Sequence, residues 1–349
     1  MPRRTDAFGA GVPSRSIDTP LPDTPPASTG VSDNAIGALT PDAVLGSFVA
    51  SDASSLRLLE QIRRVAAAAS TVLVRGESGS GKDLVASLLH YLGTNANEPL
   101  LKIDCASLPQ ELLESELFGF EKGAFTGATQ MKRGRLESAG AGTIILDEIG
   151  ALTISMQAKL LRAIEEKRFD RLGGHRPIAF HARIIALTSI DLESAVARRT
   201  FREDLYYRLN VIPLVIAPLR ERPADIAPLA QHFLLKLATM HRKPHHCFAP
   251  EAISALEEYS FPGNVRELRN IVERGIIMST SPEIGPEDLP AYVRRGSSTS
   301  SSKLTLEELE RGYIEEILDH TRGKKSKAAA ILGISRKTLL EKRKKYGLR

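Results

Sequence analysis

The sequence predicts an α/β fold, with helices on both faces of a parallel sheet, followed by a helical subdomain and a small all-α domain. In the first half of the chain, short apolar runs alternate with helical patterns, as they do where helices join parallel strands. From Ala227 onward the strand signals fade and helical periodicity takes over, which indicates the second subdomain. The predicted strands are 71–75 (TVLVR), 100–104 (LLKID), 143–147 (TIILD) and 183–189 (RIIALTS).

Polar stretches mark the limits of these parts. Residues 1–45 are rich in Pro, Ser, Thr and Asp and lack apolar periodicity, so we expect a disordered tail that is too short for a sensory domain. Residues 294–303 are expected to be a flexible linker. The predicted domains are therefore an α/β subdomain over 46–225, a helical subdomain over 226–293 and an all-α domain over 304–349.

Length and composition favour a cytoplasmic protein. The 349 residues are enough for two or three domains. No window holds the roughly 20 unbroken apolar residues of a membrane helix, and no apolar run follows the charged N-terminus as in a secretory signal. The two cysteines, Cys105 and Cys247, lie far apart, so we expect free thiols in a reducing compartment.

Positive charge is concentrated at the C-terminal end. Residues 322–349 contain eleven basic residues and one acid, a net charge of +10 against +5 for the whole chain, which leaves −5 for the remainder. A mildly acidic body with a short basic end indicates nucleic-acid contact at that end. A solvated charged tail is the alternative.

A glycine-rich loop follows the first predicted strand. The stretch GESGSGKD has the glycine and lysine spacing of a phosphate-binding loop, with Asp83 where such loops usually have the Ser or Thr that reaches Mg²⁺. Glycines let backbone N–H groups face an anion at a helix start, and Lys82 adds charge for the outer phosphates. A turn that serves only as a helix entry is the alternative. The residues expected to bind nucleotide are Gly76, Glu77, Ser78, Gly79, Ser80, Gly81, Lys82 and Asp83.

Two adjacent acids end the predicted strand TIILD. Apolar strands seldom end in two carboxylates unless these face a site, so Asp147 is predicted to bind Mg²⁺ and Glu148 to polarise an attacking water. A surface pair of acids is the alternative. Together with the loop, the pair predicts ATP and Mg²⁺ as ligands.

The segment ELFGFEKGAFTGA, residues 116–128, carries the most specific resemblance to a known family. With the loop and the acidic pair, it resembles the bacterial sigma-54-dependent activators of the AAA+ ATPase class, over about residues 48–349. In that family the residue after the loop lysine is usually acidic, as Asp83 is. The resemblance implies an AAA+ core with a helical lid, and partner contact through the hexapeptide Gly123, Ala124, Phe125, Thr126, Gly127 and Ala128.

The tip of that hexapeptide is predicted to touch the sigma factor through Phe125 and Thr126. Small residues around one aromatic suit a mobile loop that presents an apolar anchor. For an isolated Phe, burial beneath an ordinary turn would be the alternative.

The segment FREDLYYRLNVIPL resembles the family's arginines that act on a neighbouring subunit, and Arg202 and Arg208 match them. Such an arginine stabilises charge on the transferring phosphoryl group. The resemblance therefore implies a hexameric ring, possibly with a related subunit. An intrachain ion pair of Arg202 with Asp204 is the alternative.

Two sensor segments complete the resemblance. FPGNVREL, residues 261–268, matches the second sensor, with Asn264 as a possible helix cap and Arg266 near the nucleotide. The first sensor, usually Thr-Asn, is here Thr188-Ser189.

A second departure is Asp104, where the family commonly has an Asn that restrains the catalytic Glu. If Asp104 faces Glu148, one of the two carboxylates should hold its proton more tightly. We expect this to weaken or retune the coupling of partner contact to hydrolysis.

The C-terminal domain has the pattern of a helix-turn-helix and resembles the Fis-type DNA-binding domain. The turn is predicted at Gly333, after a helix with an apolar stripe. The second helix is predicted to enter the major groove of double-stranded DNA, as a dimer on a palindrome. Base or phosphate contacts are expected from Arg336, Lys337 and Thr338, phosphate contacts from Lys342, Arg343, Lys344 and Lys345, and stripe packing from Leu306, Leu309, Tyr313 and Ile317.

The predicted function is a transcription activator that hydrolyses ATP to remodel RNA polymerase bound to sigma-54. Two alternatives remain at this stage. One is an ATP-dependent repressor or accessory subunit with little hydrolysis, which Asp104 and Ser189 favour slightly. The other is a general AAA+ remodeller without promoter specificity, which the basic C-terminal end opposes.

Overall fold

The computed structural model describes Val44, Ile314, Leu318 and the ranges 46–243, 247–298, 325–332 and 334–346. The predicted disordered tail therefore lies outside the described residues, apart from Val44. None of the helices within the described ranges has the length and apolarity needed to cross a membrane.

The strands form one five-stranded sheet and three short pairs. In chain order they are β1 (Val72–Arg75), β2 (Leu100–Asp104), β3 (Gly119–Phe120), β4 (Lys132–Arg133), β5 (Thr143–Asp147), β6 (Arg168–Phe169), β7 (Ile178–Ala179), β8 (Arg183–Thr188), β9 (Ile212–Val215), β10 (Cys247–Phe248) and β11 (Glu283–Ile284).

The central sheet is parallel, with strand order β2-β5-β8-β1-β9. Its first four strands are those that the sequence predicts. The edge strand β9 was not predicted, because it is short and contains Pro213. A proline is tolerated there because β9 pairs on one side only, with β1, and its other edge needs no ladder donor.

The helices of the α/β subdomain pack on both faces of the sheet, and the later helices form the helical subdomain and the C-terminal cluster. They are α1 (Ala53–Ala66), α2 (Lys82–Tyr91), α3 (Gln110–Phe118), α4 (Arg135–Ser138), α5 (Ile154–Glu166), α6 (Leu192–Ala197), α7 (Glu203–Leu209), α8 (Ile226–Met240), α9 (Pro250–Glu257), α10 (Asn264–Met278), α11 (Ala291–Ser298), α12 (Lys325–Ile331) and α13 (Arg336–Tyr346).

Alternation along the buried strands builds a three-layer core. Leu73, Ile144 and Leu146 belong to one apolar cluster, whereas Val72 and Val74 belong to a second one with α1 and α2. Successive side chains of a strand point to opposite faces, so each face of the sheet has its own helix layer. The predicted α/β class is therefore confirmed.

A third apolar cluster lies in the helical subdomain, where α8, α9 and α10 pack around the fully buried Phe261. The last helix of this part, α11, extends through residues 294–298. The predicted linker over 294–303 is wrong in these first five residues, which continue a helix. Its remaining residues, 299–303, lie outside the described part.

The described part of the C-terminal domain is a small helical cluster. Ala328 of α12 and Leu339 of α13 are buried together with Ile314 and Leu318. The side chain of Ser335 caps α13 by accepting from the amide of Thr338 at 3.0 Å. The predicted turn residue and apolar stripe lie outside the described residues: Gly333, Leu306, Leu309, Tyr313 and Ile317.

Both cysteines are free thiols, and their environments differ. Cys105 directly follows β2 and is buried. Burial, together with the nearby carboxylates of Asp104, Asp147 and Glu148, raises its pKa to about 12. Because the thiolate is the reactive form, Cys105 should not react in the folded protein below pH 9. Cys247 in β10 is exposed.

We therefore expect one rapidly reacting thiol per folded chain toward Ellman's reagent at pH 8. The Cys247→Ser variant should show no rapid phase, and denatured wild-type protein should show two thiols. A rapid phase in Cys247→Ser would contradict the burial of Cys105.

Candidate functional site

The glycine-rich loop joins the end of β1 to the start of α2. Gly79 and Gly81 have φ angles of 77° and 110°, which favour glycine. At Gly79 a Cβ would also collide with the carbonyl oxygen of Gly263 in the helical subdomain. The loop backbone therefore needs glycine, and it touches the lid.

Lys82, the first residue of α2, is buried within the loop. Its Nζ donates to the carbonyl oxygens of Gly76 at 2.9 Å and Glu77 at 3.3 Å. It also lies 3.4 Å from Oε1 of Glu148. The structure thus brings the predicted phosphate lysine and the predicted catalytic carboxylate together.

Asp147 and Glu148 lie where β5 ends, beside this loop. Glu148 adopts φ 49°, and its amide donates to Oδ1 of Asp147 at 3.0 Å. Strain of this kind at a non-glycine residue is typical of functional sites.

A third charged residue, Lys102 of β2, was missed by sequence reasoning. Its Nζ lies 2.7 Å from Oδ2 of Asp147 and also pairs with Asp83. Although burial opposes its charged form, hydrogen bonds to Asp147 and Asp83 raise the pKa of Lys102. A lysine inside the apolar run LLKID was the signal that could have found it.

Ser189 holds Glu148 directly. Its amide and hydroxyl donate to Oε2 of Glu148 at 3.0 and 2.7 Å. The neighbouring Thr188 is fully buried, and its Oγ1 accepts from the amide of Ile190 at 3.2 Å. The first-sensor segment therefore positions the carboxylate and makes a turn, and Ser189 is the residue that faces the site.

Asp104 has a partner of its own. Its exposed carboxylate accepts from the amide of Ala106 at 2.9 Å, and its Cα is in register with that of Asp147 across β2 and β5. Glu148 is meanwhile restrained by hydrogen bonds from Ser189.

Whether Asp104 retunes hydrolysis stays a prediction. We expect Asp104→Asn to change ATP turnover, with the change depending on whether sigma factor is present, because a charge near Asp147 and Glu148 is removed. Phosphate release measured with and without sigma factor checks this. Identical turnover of Asp104→Asn and wild type under both conditions would remove the idea.

Four side chains that follow β9 in the chain contact the loop: Arg220, Arg222, Asn264 and Arg266. Arg266 of α10 donates to Oγ of Ser78 at 3.0 Å. Arg220 forms a two-pronged pair with Glu77 at 2.6 and 2.9 Å. Hydrogen bonds from Arg220 and Asn264 lower the pKa of Glu77 to about 2, so the Arg220–Glu77 ion pair stays charged near neutral pH.

The predicted cap role of Asn264 is wrong. Asn264 is the fully buried first residue of α10, with φ 52°, and its side chain reaches across to the loop. It donates to Oε2 of Glu77 at 3.0 Å and to the carbonyl of Ser78 at 3.1 Å, and accepts from the amide of Leu219 at 2.8 Å. Its partners are distant in the chain, so the local pattern did not reveal them.

A cavity of about 310 Å³ lies between the loop and the lid. Its lining includes Gly79, Lys82, Asp147, Glu148 and Arg266. In the same loop, the buried Oγ of Ser80 has no hydrogen-bond partner in the described ranges. Cationic side chains and loop amides suit phosphates, and the carboxylate of Asp147 suits Mg²⁺, so the residues fit an ATP–Mg²⁺ complex.

Comparisons with known proteins identify the domains of the chain. Residues 48–215 match the sigma-54 interaction domain, residues 220–305 the AAA+ ATPase lid domain, and residues 305–346 the Fis family of bacterial regulatory proteins. The regulatory protein AtoC of Escherichia coli K12 is 42% identical over 314 residues, 87% of this chain and 68% of AtoC. The chain belongs to the sigma-54 activator family.

Further relatives extend this likeness. The transcriptional regulatory protein ZraR of Klebsiella oxytoca is 44% identical over 309 residues, 87% of this chain and 69% of ZraR. The crystal structure of NtrX from Brucella abortus in complex with ATP has a TM-score of 0.66 and 33% identity, and covers 86% of this chain and 69% of NtrX. The chain is therefore a sigma-54-dependent transcriptional activator and an AAA+ ATPase, as predicted.

The tip of the hexapeptide loop of this activator is accessible. Its last residue, Ala128, is buried, so the predicted partner contact through Ala128 is wrong in this conformation. Phe125 is 48% exposed and stacks edge-on against Phe120 with ring centroids 4.9 Å apart. Thr126 is exposed as well. Gly123 and Gly127 have φ angles of 84° and 104°, so the turn depends on glycine by conformation.

The loop base is tied to the hairpin β6–β7. Backbone hydrogen bonds join Leu172 to Gly119 and to Glu121, each at 3.0 Å. Arg171 reaches Glu121 at 2.6 Å and Glu137 at 2.8 Å. A movement of this hairpin would therefore displace the base of the hexapeptide loop.

The two predicted trans-acting arginines of the activator lie around α7, outside the nucleotide cavity. Arg202 pairs with Asp204 at 2.7 and 3.0 Å, which is the alternative considered from the sequence. Arg208 is exposed. Within one chain neither of them lines the cavity.

The predicted DNA-contacting residues lie on α13. Arg336 is exposed at its start, and Lys337 follows it in the helix. Thr338 bonds with Ser335 at 2.8 Å, so its hydroxyl takes part in the cap. Lys342 and Arg343 are half-buried on the same helix.

Proposed function

We propose that this activator binds upstream DNA and uses ATP hydrolysis to drive the hexapeptide loop against RNA polymerase bound to sigma-54, so that promoter DNA opens. One observation carries the proposal. A single subdomain holds Lys82, Asp147 and Glu148 around one cavity and presents Phe125, 48% exposed, on a glycine-hinged loop.

In the proposed reaction, ATP and water give ADP and phosphate. Lys82 and the loop amides would hold the phosphates, and Asp147 would hold Mg²⁺, which would supply positive charge to neutralise the phosphates. Glu148 orients the attacking water and accepts its proton. Ser189 supports this step by fixing one oxygen of Glu148 at 2.7 Å.

The site is completed by a neighbouring subunit in this proposal. Arg208, and Arg202 once it leaves Asp204, would reach the γ-phosphate of the adjacent protomer. Arg208 lies on α7 and Arg202 directly before it, both away from the chain's own cavity. These positions support a ring of subunits, which we propose to be a hexamer. A related chain could supply some of the subunits.

Movement would pass from nucleotide to loop through the lid and sheet. Loss of the γ-phosphate alters what Glu148 and Arg266 contact, and the hairpin β6–β7 is bonded to the loop base through Leu172 and Arg171. The C-terminal helix α13 would bind upstream DNA and so hold the ring near the promoter, which raises its local concentration there. The polymerase and the activator would meet in the cytoplasm.

Transcription in vitro from a sigma-54-dependent promoter tests the proposal. We expect open complexes only with the protein, hydrolysable ATP and the upstream DNA site, and none with a non-hydrolysable analogue. A matched template with a sigma-70 promoter is the control. Open complexes formed equally well with the non-hydrolysable analogue would contradict a role for hydrolysis.

A further inference from the structure

Both oxygens of Asp147 already have partners. Oδ1 accepts from the amide of Glu148 at 3.0 Å, and Oδ2 lies 2.7 Å from the ammonium of Lys102. A cation that binds Asp147 must therefore share Oδ1 with the amide of Glu148, or share Oδ2 with Lys102, or displace Lys102; in each case it lies close to the Lys102 ammonium.

Lys102 has a second carboxylate to move toward. Its Nζ also pairs with Asp83, whose side chain is 56% exposed, whereas the side chain of Asp147 is only 17% exposed. Asp83 stands at the start of α2, where many phosphate loops place a hydroxyl for the metal. Here its carboxylate anchors a lysine instead.

We propose that the Lys102 ammonium neutralises the Asp147 carboxylate before ligands bind. When nucleotide and Mg²⁺ bind, Lys102 leaves Asp147 and pairs with Asp83 alone. This inference rests on the proposed function, since it concerns how the same cavity takes its ligands. Lys102 acts here as a positioning residue that sets how strongly nucleotide binding depends on the metal.

The charge balance gives the direction of the effect. Removal of the Lys102 charge leaves Asp83 and Asp147 uncompensated, which disfavours metal-free nucleotide and favours the nucleotide–Mg²⁺ complex. Unit charges a few ångströms apart in a partly buried site interact strongly enough that we expect at least a tenfold effect, roughly. Removal of the Asp83 charge should act in the opposite direction.

The measured quantity is a ratio of dissociation constants for a fluorescent, non-hydrolysable ATP analogue. The dissociation constant in EDTA is divided by the dissociation constant in Mg²⁺. We expect this ratio to rise by roughly tenfold or more in Lys102→Met and to fall in Asp83→Asn. Lys102→Arg, which keeps the charge, should stay near wild type.

Lys159→Met is the matched control, because Lys159 also pairs with a carboxylate, that of Glu114, but lies outside the nucleotide cavity. Its ratio should equal that of wild type. If Lys102→Met does not fold, as judged by thermal melting, Lys102→Gln provides the same comparison.

An unchanged ratio in the neutral Lys102 variant would overturn this inference and leave the proposed function intact. Failure of wild-type protein to bind the analogue even with Mg²⁺ would instead contradict the proposed function. The two failures are therefore distinguishable.

Discussion

Replacement of Glu148 by glutamine should abolish most ATP hydrolysis while leaving ATP binding intact. Glutamine keeps the size of the side chain and an oxygen for the hydrogen bonds from Ser189, but it cannot accept a proton from water. A positioned general base contributes roughly 10²–10⁴-fold, so turnover should fall by that factor. Phosphate release and binding of a fluorescent ATP analogue measure the two properties.

Glu165→Gln is a suitable control for that variant. Glu165 is an exposed glutamate of α5, so the same chemical change occurs on the surface. Its turnover should match wild type. Turnover of Glu148→Gln within a few-fold of the control would exclude Glu148 as the base, and the 2.7 Å contact with Ser189 would then be structural only.

Loss of hydrolysis should also abolish promoter opening in Glu148→Gln. The variant is expected to bind ATP and upstream DNA, so it should occupy the template without producing transcripts. Mixed with wild-type protein, it should lower activation more than in proportion to its share, because a ring uses neighbouring subunits. Strictly proportional loss would contradict shared sites.

The central sheet could be predicted from the sequence because its strands are buried on both faces. Continuous apolar runs such as TVLVR and TIILD are visible without any tertiary information. The edge strand β9 could not be predicted in this way, since one face and one edge of it are open. Its Pro213 is also a residue that argues against a strand. Burial, and therefore pattern, is weakest at the edge of a sheet.

The candidate site divides along the same line. Lys82, Asp147 and Glu148 carry local motifs, and the structure gathers them as expected. Lys102 lies in no such motif, and the motif that contains Asn264 predicted only a helix cap, because the partners of both residues lie on other elements. The side chain of Asn264 donates to Glu77, which lies 187 positions earlier in the chain, and no spacing rule reveals such a contact.

The partner loop was found by resemblance rather than by physical pattern. A half-exposed phenylalanine between glycines has no periodicity to read, and as an isolated residue it would be assigned to a buried turn. In the structure Phe125 stacks on Phe120 while 48% of it stays exposed. The half-exposed ring on a glycine-bounded turn is therefore available to a partner.

Replacement of Phe125 by alanine should therefore abolish transcription activation while ATP hydrolysis remains near wild type. A buried aromatic anchor at an interface contributes about 2 kcal/mol or more, so contact with the sigma-54–polymerase complex should weaken by roughly 30-fold or more. Thr126→Ala should act in the same direction. Open-complex formation and phosphate release, measured on the same preparations, separate the two activities.

Leu112→Ala is the matched control, because Leu112 is an exposed apolar residue of α3, 55% accessible and outside the hexapeptide. It should activate transcription as wild type does. Phe125 contacts Phe120 but lines no part of the nucleotide cavity, so its loss leaves the proposed catalytic carboxylate, Glu148, untouched. Full activation by Phe125→Ala would mean that force reaches the polymerase through another surface, and equal loss of hydrolysis and activation would mean that the loop serves the ring itself.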